Sequence, residues 1–305
     1  MASEAKKKKK AEVASTGVKQ KFTIFDVIMY VLIALLAIIC LYPFLNVLAI
    51  SLSGYNAVLS NSVFFVPKDV TVAAYQNIIA RPQIWEAMGT TVIVTVSGTA
   101  IGLVLTTAAA YALSRNYLPG RKVFSGLILF TMYFSGGIIP TFLVVKGVGM
   151  FDTLWALFVP QAVNVFNFVI MRSFFRELPI ELEEAAEIDG ANEMQTLFRI
   201  VLPLSVPIIA TIGLFYAVQY WNDYFQALIY INDSSKYTLQ LRLRSLLFDS
   251  VLSSDGANAE GIGTQVMTRS LKMASIMVST IPILLVYPWL QKYFVKGVML
   301  GSVKG

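Results

Sequence analysis

Residues 181 to 203 read ELEEAAEIDGANEMQTLFRIVLP, a polar and mostly acidic island between two long apolar segments. Glu181, Glu183, Glu184, Glu187, Asp189 and Glu193 place their carboxylates in a stretch, 181–193, without Lys or Arg. The chemistry open to such a face is electrostatic: it suits a protein cleft lined with Arg or Lys. The competing reading is an amphipathic hairpin lying on lipid headgroups, but interfacial helices are usually basic and an anionic leaflet repels acid. Bond-making chemistry has little to work with. The chain has no His and one Cys, Cys40, set in an apolar run. Those counts exclude an internal disulfide, a His/Cys metal site, zinc hydrolysis, and Ser-His-Asp or Cys-His catalysis within this chain. No G-x-x-x-x-G-K-[ST] sequence is present to cradle the phosphates of ATP. The expectation is therefore no catalytic residue, no metal and no cofactor in this chain.

Local signals give the island a form. Ala185, Ala186, Ile188, Ala191, Met194, Leu197 and Phe198 recur at helical spacing. A first helix between Pro179 and Ile188 has its glutamates near the positive N-terminus. Asp189-Gly190 signals a turn with positive φ at Gly190. Asn192 can cap a second helix running to Ile200, which re-enters the membrane at Leu202-Pro203.

The elements around it are membrane spans. The chain is 56% hydrophobic and 14% charged, with mean hydropathy +0.68, far from the soluble norm of about a quarter charged residues. Six apolar segments are long enough to cross a hydrocarbon core: Phe25–Ile50, Met88–Leu113, Val123–Val145, Thr153–Met171, Leu204–Ile231 and Leu271–Phe294. Unpaired backbone groups are not tolerated in lipid, so the fold is all-α, a polytopic membrane protein of six transmembrane helices. Lys and Arg set its orientation. With both termini cytoplasmic, Lys6–Lys10, Lys19, Lys21, Arg115, Arg121, Lys122, Arg172, Arg176, Arg199, Lys292, Lys296 and Lys304 lie inside, 16 of the 24 basic residues. The island is then cytoplasmic too. Residues 1–23 read as a Lys-rich, disordered tail and 24–305 as the transmembrane domain. The first apolar run is too long for a signal-peptide core and reads as an uncleaved helix. The basic residues follow topology and need no nucleic-acid partner. The loop at 249–263 is rich in Ser, Asp, Asn and Gly.

The spacing of Glu184, Ala185, Ala186, Gly190, Ile200, Leu202 and Pro203 resembles the EAA loop of the transmembrane subunits of bacterial ABC importers. Flanking segments extend the resemblance to most of the chain: MRSFFRELPIELEEAAEIDGA before the turn, Tyr220-Trp221-Asn222-Asp223-Tyr224-Phe225 after it, and QKYFVKGVMLGSVKG at the end. These are similar to the carbohydrate-importing, maltose-type branch, and nearest to its complex-oligosaccharide subgroup. The resemblance implies a type I importer permease fold in a bacterial cell membrane. It implies a second homologous permease, two ATPase subunits that bind ATP and Mg, an extracellular solute-binding protein, and a carbohydrate substrate moved by alternating access. The coupling loop is 179–203, and ATPase docking falls to Glu184, Ala185, Ala186, Asp189, Gly190, Ala191, Ile200, Leu202 and Pro203.

A hydroxyl-rich solute needs amide, hydroxyl and aromatic partners. The fifth span offers Tyr216, Gln219, Tyr220, Trp221, Asn222 and Asp223 as translocation path or gate. Asn222 falls about 27 Å along a continuous helix from Leu204, near the outer mouth. An interfacial aromatic belt explains Trp221 and Tyr224 equally well. Gln161, Asn164 and Asn167 form one stripe of the fourth span, as pore lining or as interhelical glue. Ser135-Gly136-Gly137 and Pro140 in the third span read as a packing kink ahead of a full helix break. The rival reading is half of an ion-coupled carrier, which usually needs midplane acids, His or Lys. Asp223 is the only acid well inside a span. An intramembrane enzyme lacks metal ligands, and a channel has no use for the acidic hairpin.

Overall fold

The computed structural model describes residues 23–246, 269–285 and 288. Among them the chain is helical, with no strand. The opening helix, α1 (Ile24–Ser51), is apolar on every side and leaves nearly its whole length exposed, as a helix facing lipid does. Asp26 accepts the Thr23 N–H at 2.8 Å at its start. Two short helices, α2 (Tyr55–Leu59) and α3 (Ala73–Ile79), lead to α4 (Pro82–Ser114), the longest element. At about 1.5 Å per residue, α4 outreaches a hydrocarbon core of about 30 Å.

The other expected spans are broken. The third is α5 (Arg121–Tyr133) and α6 (Ile138–Gly147), which meet at 118°. That angle replaces the expected kink: the chain folds back at Phe134–Gly137. The fourth is α7 (Trp155–Phe158) with a 3-10 turn (Val159–Gln161), then α8 (Val165–Glu177), bent by 49°. The hairpin follows as α9 (Glu181–Ile188) and α10 (Glu193–Thr196), continued by a π-helical turn (Leu197–Val201) and α11 (Leu202–Leu204). The proline does not end this limb. Pro203 sits within α11, and the 81° bend into α12 (Val206–Trp221) comes at the buried Ser205.

The fifth span stops ten residues before the expected Ile231. Asn222 Nδ2 donates back to Val218 O at 2.9 Å, and Asp223 Oδ1 accepts the Gln226 N–H at 3.1 Å. These bonds end α12 and start α13 (Phe225–Tyr230). Among the described residues, two unbroken helices and three bent pairs are long and apolar enough to cross a membrane. Residues 269–285 are helical and cover the start of the expected sixth crossing. The remainder of that crossing, the Lys-rich tail through residue 22, the 249–263 loop and the C-terminal motif lie outside the described residues.

The core lies where α4, α8 and α12 meet. Val94, Ala110, Leu157, Phe168, Met171, Phe175, Val201 and Ile212 are buried there with Tyr216 and Tyr220. Gly98 and Gly102 make the closeness of α4 and α12 possible. A Cβ on Gly98 would come within 2.7 Å of the Tyr220 ring, and one on Gly102 within 3.1 Å of the Tyr216 ring. Small residues four apart let two helices approach in the way membrane helices favour.

Candidate functional site: an acidic hairpin and an amide-lined cavity

The hairpin turn is closed by backbone bonds. Ala191 N–H donates to Ala186 O and Gly190 N–H to Glu187 O, both at 2.9 Å, with Gly190 at φ 77°. This Schellman pattern needs a left-handed residue at the C′ position, and Gly meets it without a Cβ penalty. On the second limb, Asn192 Oδ1 accepts the Gln195 N–H while Gln195 Oε1 accepts the Asn192 N–H, each at 2.9 Å. That reciprocal cap fixes the start of α10.

The hairpin divides its residues between two faces. Ala186, Thr196, Leu197 and Val201 are buried toward the bundle. Ile188 is 87% exposed, Met194 61% and Phe198 60%. Glu184, Ala185, Glu187, Asp189, Gly190 and Pro203 are also exposed, while Ala191, Ile200 and Leu202 are half-buried. The EAA residues therefore split: Ala185 is available to a partner and Ala186 packs inside. Apolar Ile188, Met194 and Phe198 thus share the outer face with exposed acids of 181–193, and nothing among the described residues covers them.

Two of the carboxylates are already engaged. Arg115, just past the end of α4, pairs with Glu183, both side chains being largely buried. Tyr111 and Tyr117 donate their hydroxyls to the two oxygens of Glu193, Tyr111 at 3.1 Å. Desolvation at this contact, and then the hydrogen bond to Glu193, push the Tyr117 hydroxyl above the ordinary phenol range, so it stays a donor near neutrality. Sequence reading missed Arg115, Tyr111 and Tyr117 as hairpin residues.

The second site sits at the break in the fourth span. A shallow cavity of about 320 Å³, wide open to the surface, is lined by Met132, Gln161, Val163, Asn164, Val165, Phe166 and Gln219. Gln219 Nε2 donates to Gln161 Oε1 at 2.8 Å, and Gln161 Nε2 donates to Asp223 Oδ2 at 3.2 Å. Asn164 is the cap of α8, its Oδ1 accepting the Asn167 N–H at 3.2 Å. The expected stripe of Gln161, Asn164 and Asn167 does not form, because the helix is interrupted between the first two. Gln161 and Asn164 reach the cavity, and Asn167 is buried in the first turn of α8.

Tyr216 and Tyr220 do not line the cavity; both are fully buried and stack with centroids 6.2 Å apart. Tyr216 shares a 2.6 Å hydrogen bond with Thr106 Oγ1 and accepts the Asn164 N–H at 2.9 Å. Tyr220 donates toward Phe158 O at 3.3 Å and Gln161 O at 3.2 Å. They satisfy backbone groups that the break frees, which is what makes a broken helix tolerable at membrane depth. Trp221 Nε1 donates to Ser279 O at 3.1 Å, and Asn222 is exposed. The 98–102 glycine spacing was a readable signal for this packing and went unread.

Residues 108–300 match the family described as binding-protein-dependent transport system inner membrane component. The chain belongs to that family. It is a permease subunit of a binding-protein-dependent ABC importer. The chain is 46% identical to the polygalacturonan/rhamnogalacturonan transport system permease protein YtcP of Bacillus subtilis, over 93% of this chain and 100% of that one. It is 44% identical to protein LplC of the same organism, over 92% and 95% of the two chains. Its fold is similar to a chain in the crystal structure of a bacterial ABC transporter involved in the import of the acidic polysaccharide alginate, with TM-score 0.80 and 33% identity. That match covers 92% of this permease and 100% of the other chain. The all-α permease fold agrees with the sequence expectation, and the ion-coupled carrier reading loses its support.

Proposed function

We propose that this permease carries an oligosaccharide into the cytoplasm, and that hairpin 179–203 is gripped there by a separate ATPase subunit. The single observation that carries the docking role is the uncovered face of the hairpin. Ile188, Met194 and Phe198 are exposed on a hairpin whose 181–193 stretch carries exposed acids, and its turn is held by the Gly190 backbone pattern. Large exposed apolar residues on a structured turn mark a surface meant for a partner. The acids argue against anionic lipid as that partner.

The carbohydrate reading is supported by the names of the relatives and by the cavity chemistry. Gln161, Asn164 and Gln219 offer neutral hydrogen-bonding groups beside Phe166. Tyr216 and Tyr220 position them, and Asp223 orients Gln161. Trp221, Asn222 and Asp223 belong to the gate at the far end of α12. ATP and Mg belong to two ATPase subunits. A second homologous permease and an extracellular binding protein complete the assembly. Both termini lie in the cytoplasm, and the 1–23 tail has no assigned role. ATP closure of the ATPase moves the hairpin, and the broken spans reorganise around the cavity.

The test is purification of the whole complex with its binding protein, followed by ATPase measurement with pectin, rhamnogalacturonan and alginate fragments. Stimulation by one such glycan supports the reading. Stimulation by none of them, with a response to an unrelated solute, rejects it.

A further inference from the structure

We infer that Tyr111, Arg115 and Tyr117 form a crosspiece that transmits hairpin motion into α4, and so are positioning residues of the transport cycle. This rests on the reading that the hairpin docks the ATPase. The observation is that one end of α4 holds both limbs of the hairpin at once. Arg115 grips Glu183 on α9, and Tyr111 and Tyr117 each take one oxygen of Glu193 at the start of α10. Arg115 also lies 4.2 Å over the Tyr111 ring, and Tyr111 meets Phe175 of α8 edge-on at 6.2 Å. Arg172 Nε donates to Leu113 O at 3.0 Å, tying α8 to the same end.

Hydrogen bonds to a charged carboxylate are shorter and stronger than neutral ones, so these contacts hold both limbs firmly. With both limbs attached to α4, the hairpin cannot swing on its two chain ends alone. Any displacement of Glu183 and Glu193 pulls on the last turn of α4. That helix is rigidly seated on α12 through Gly98, Gly102 and the Thr106–Tyr216 hydrogen bond. Tyr216 in turn holds the Asn164 N–H at the edge of the cavity. The contacts therefore form one continuous path from the acidic hairpin to the amide-lined break. Each link is a packed or hydrogen-bonded pair, the physical form that coupling between distant sites takes.

The experiment uses the full complex in proteoliposomes, with Cys40→Ser and a reporter thiol at Val163→Cys, a cavity residue outside the hydrogen-bond network. Maleimide labelling of the reporter is measured with and without trapping by MgATP and vanadate. In the parent, trapping should change the labelling rate at least several-fold. Tyr111→Phe with Tyr117→Phe keeps both rings and removes both hydroxyls. In that variant the ATPase should stay bound and hydrolyse ATP, while the trapping response falls by half or more. Arg115→Glu should blunt the response, and Arg115→Glu with Glu183→Arg should restore it. An unchanged response in the double Phe variant overturns the crosspiece, as does loss of the ATPase from it or failure of the charge swap to restore the response. The docking reading is tested separately by Glu184→Lys with Glu187→Lys on the uncovered face. Undiminished ATPase binding in that variant rejects docking whatever the reporter does.

Discussion

Gly98 on α4 lies against the Tyr220 ring on α12 with no room for a methyl group: a Cβ there would be 2.7 Å from Cε2. Tyr220 cannot retreat, because it is 1% exposed and its hydroxyl serves the Phe158 and Gln161 carbonyls. Gly98→Ala should therefore destabilise the purified permease by about 1–3 kcal/mol, the range for overpacking. Thermal unfolding in detergent measures it. Adding Tyr220→Leu should relieve the clash, so the two changes together should be less harmful than their sum.

Tyr216→Phe removes the hydroxyl that meets Thr106 and accepts the Asn164 N–H. The Thr106 hydroxyl is left buried, and an unsatisfied buried partner costs about 1–3 kcal/mol. The expected result is a lower unfolding temperature together with poor transport. Gln219→Leu differs, because Gln219 sits at the cavity wall. Losing its hydrogen bond should weaken glycan stimulation about tenfold, the equivalent of roughly 1.4 kcal/mol. Its unfolding temperature should stay close to that of the parent.

At Gly190 a Cβ meets nothing within 4 Å, so bulk is tolerated and only the left-handed backbone resists. Gly190→Asp should cost the fold no more than about 1–2 kcal/mol and leave the protein in the membrane. Uptake should nonetheless be lost, since the new side chain projects from the proposed docking face. Normal uptake by that variant contradicts the lever role of the turn.

At the other end of the bundle, Asp152 and Asp233 hold Lys236 between them, with Nζ–O distances of 3.6 and 3.4 Å. Asp152 Oδ1 also accepts the Asn232 and Asp233 amides at 3.1 Å. The Asp233 amide bond holds the Asp152 carboxyl below its ordinary value of 3.8, and the Ser235 hydroxyl and amide do the same for Asp233. Groups with depressed folded values contribute stability above the unfolded pKa and lose it as pH falls through the folded one. Amide exchange protection at 232 and 233 should therefore hold from pH 7 to 5 and collapse only below 3.8. Asp152→Asn should remove that acid dependence.

The hairpin was legible because its signals are local. Gly190, Asn192 and the glutamates act on neighbours within a few residues, and the turn and cap form where those residues stand. The long apolar helices were legible for the same reason, as composition over a window. The breaks at 162–164 and 222–224 were not. They persist because Tyr216 and Tyr220, more than fifty residues along the chain, supply the missing hydrogen bonds to the first. The second rests on Asp223 turning its carboxylate to a new helix start. The Arg115–Glu183 pair spans 68 residues and Tyr117–Glu193 spans 76. Their charge signs permitted such contacts, but only the folded bundle brings them together.

The most direct test places a thiol on the uncovered face, at Ile188→Cys in a Cys40→Ser background. A membrane-impermeant maleimide is applied to intact cells and to inside-out vesicles, with and without the ATPase stripped from the vesicles. Labelling only in inside-out vesicles, strengthened when the ATPase is removed, is the predicted result. Labelling of intact cells, or equal labelling with the ATPase present and absent, contradicts it.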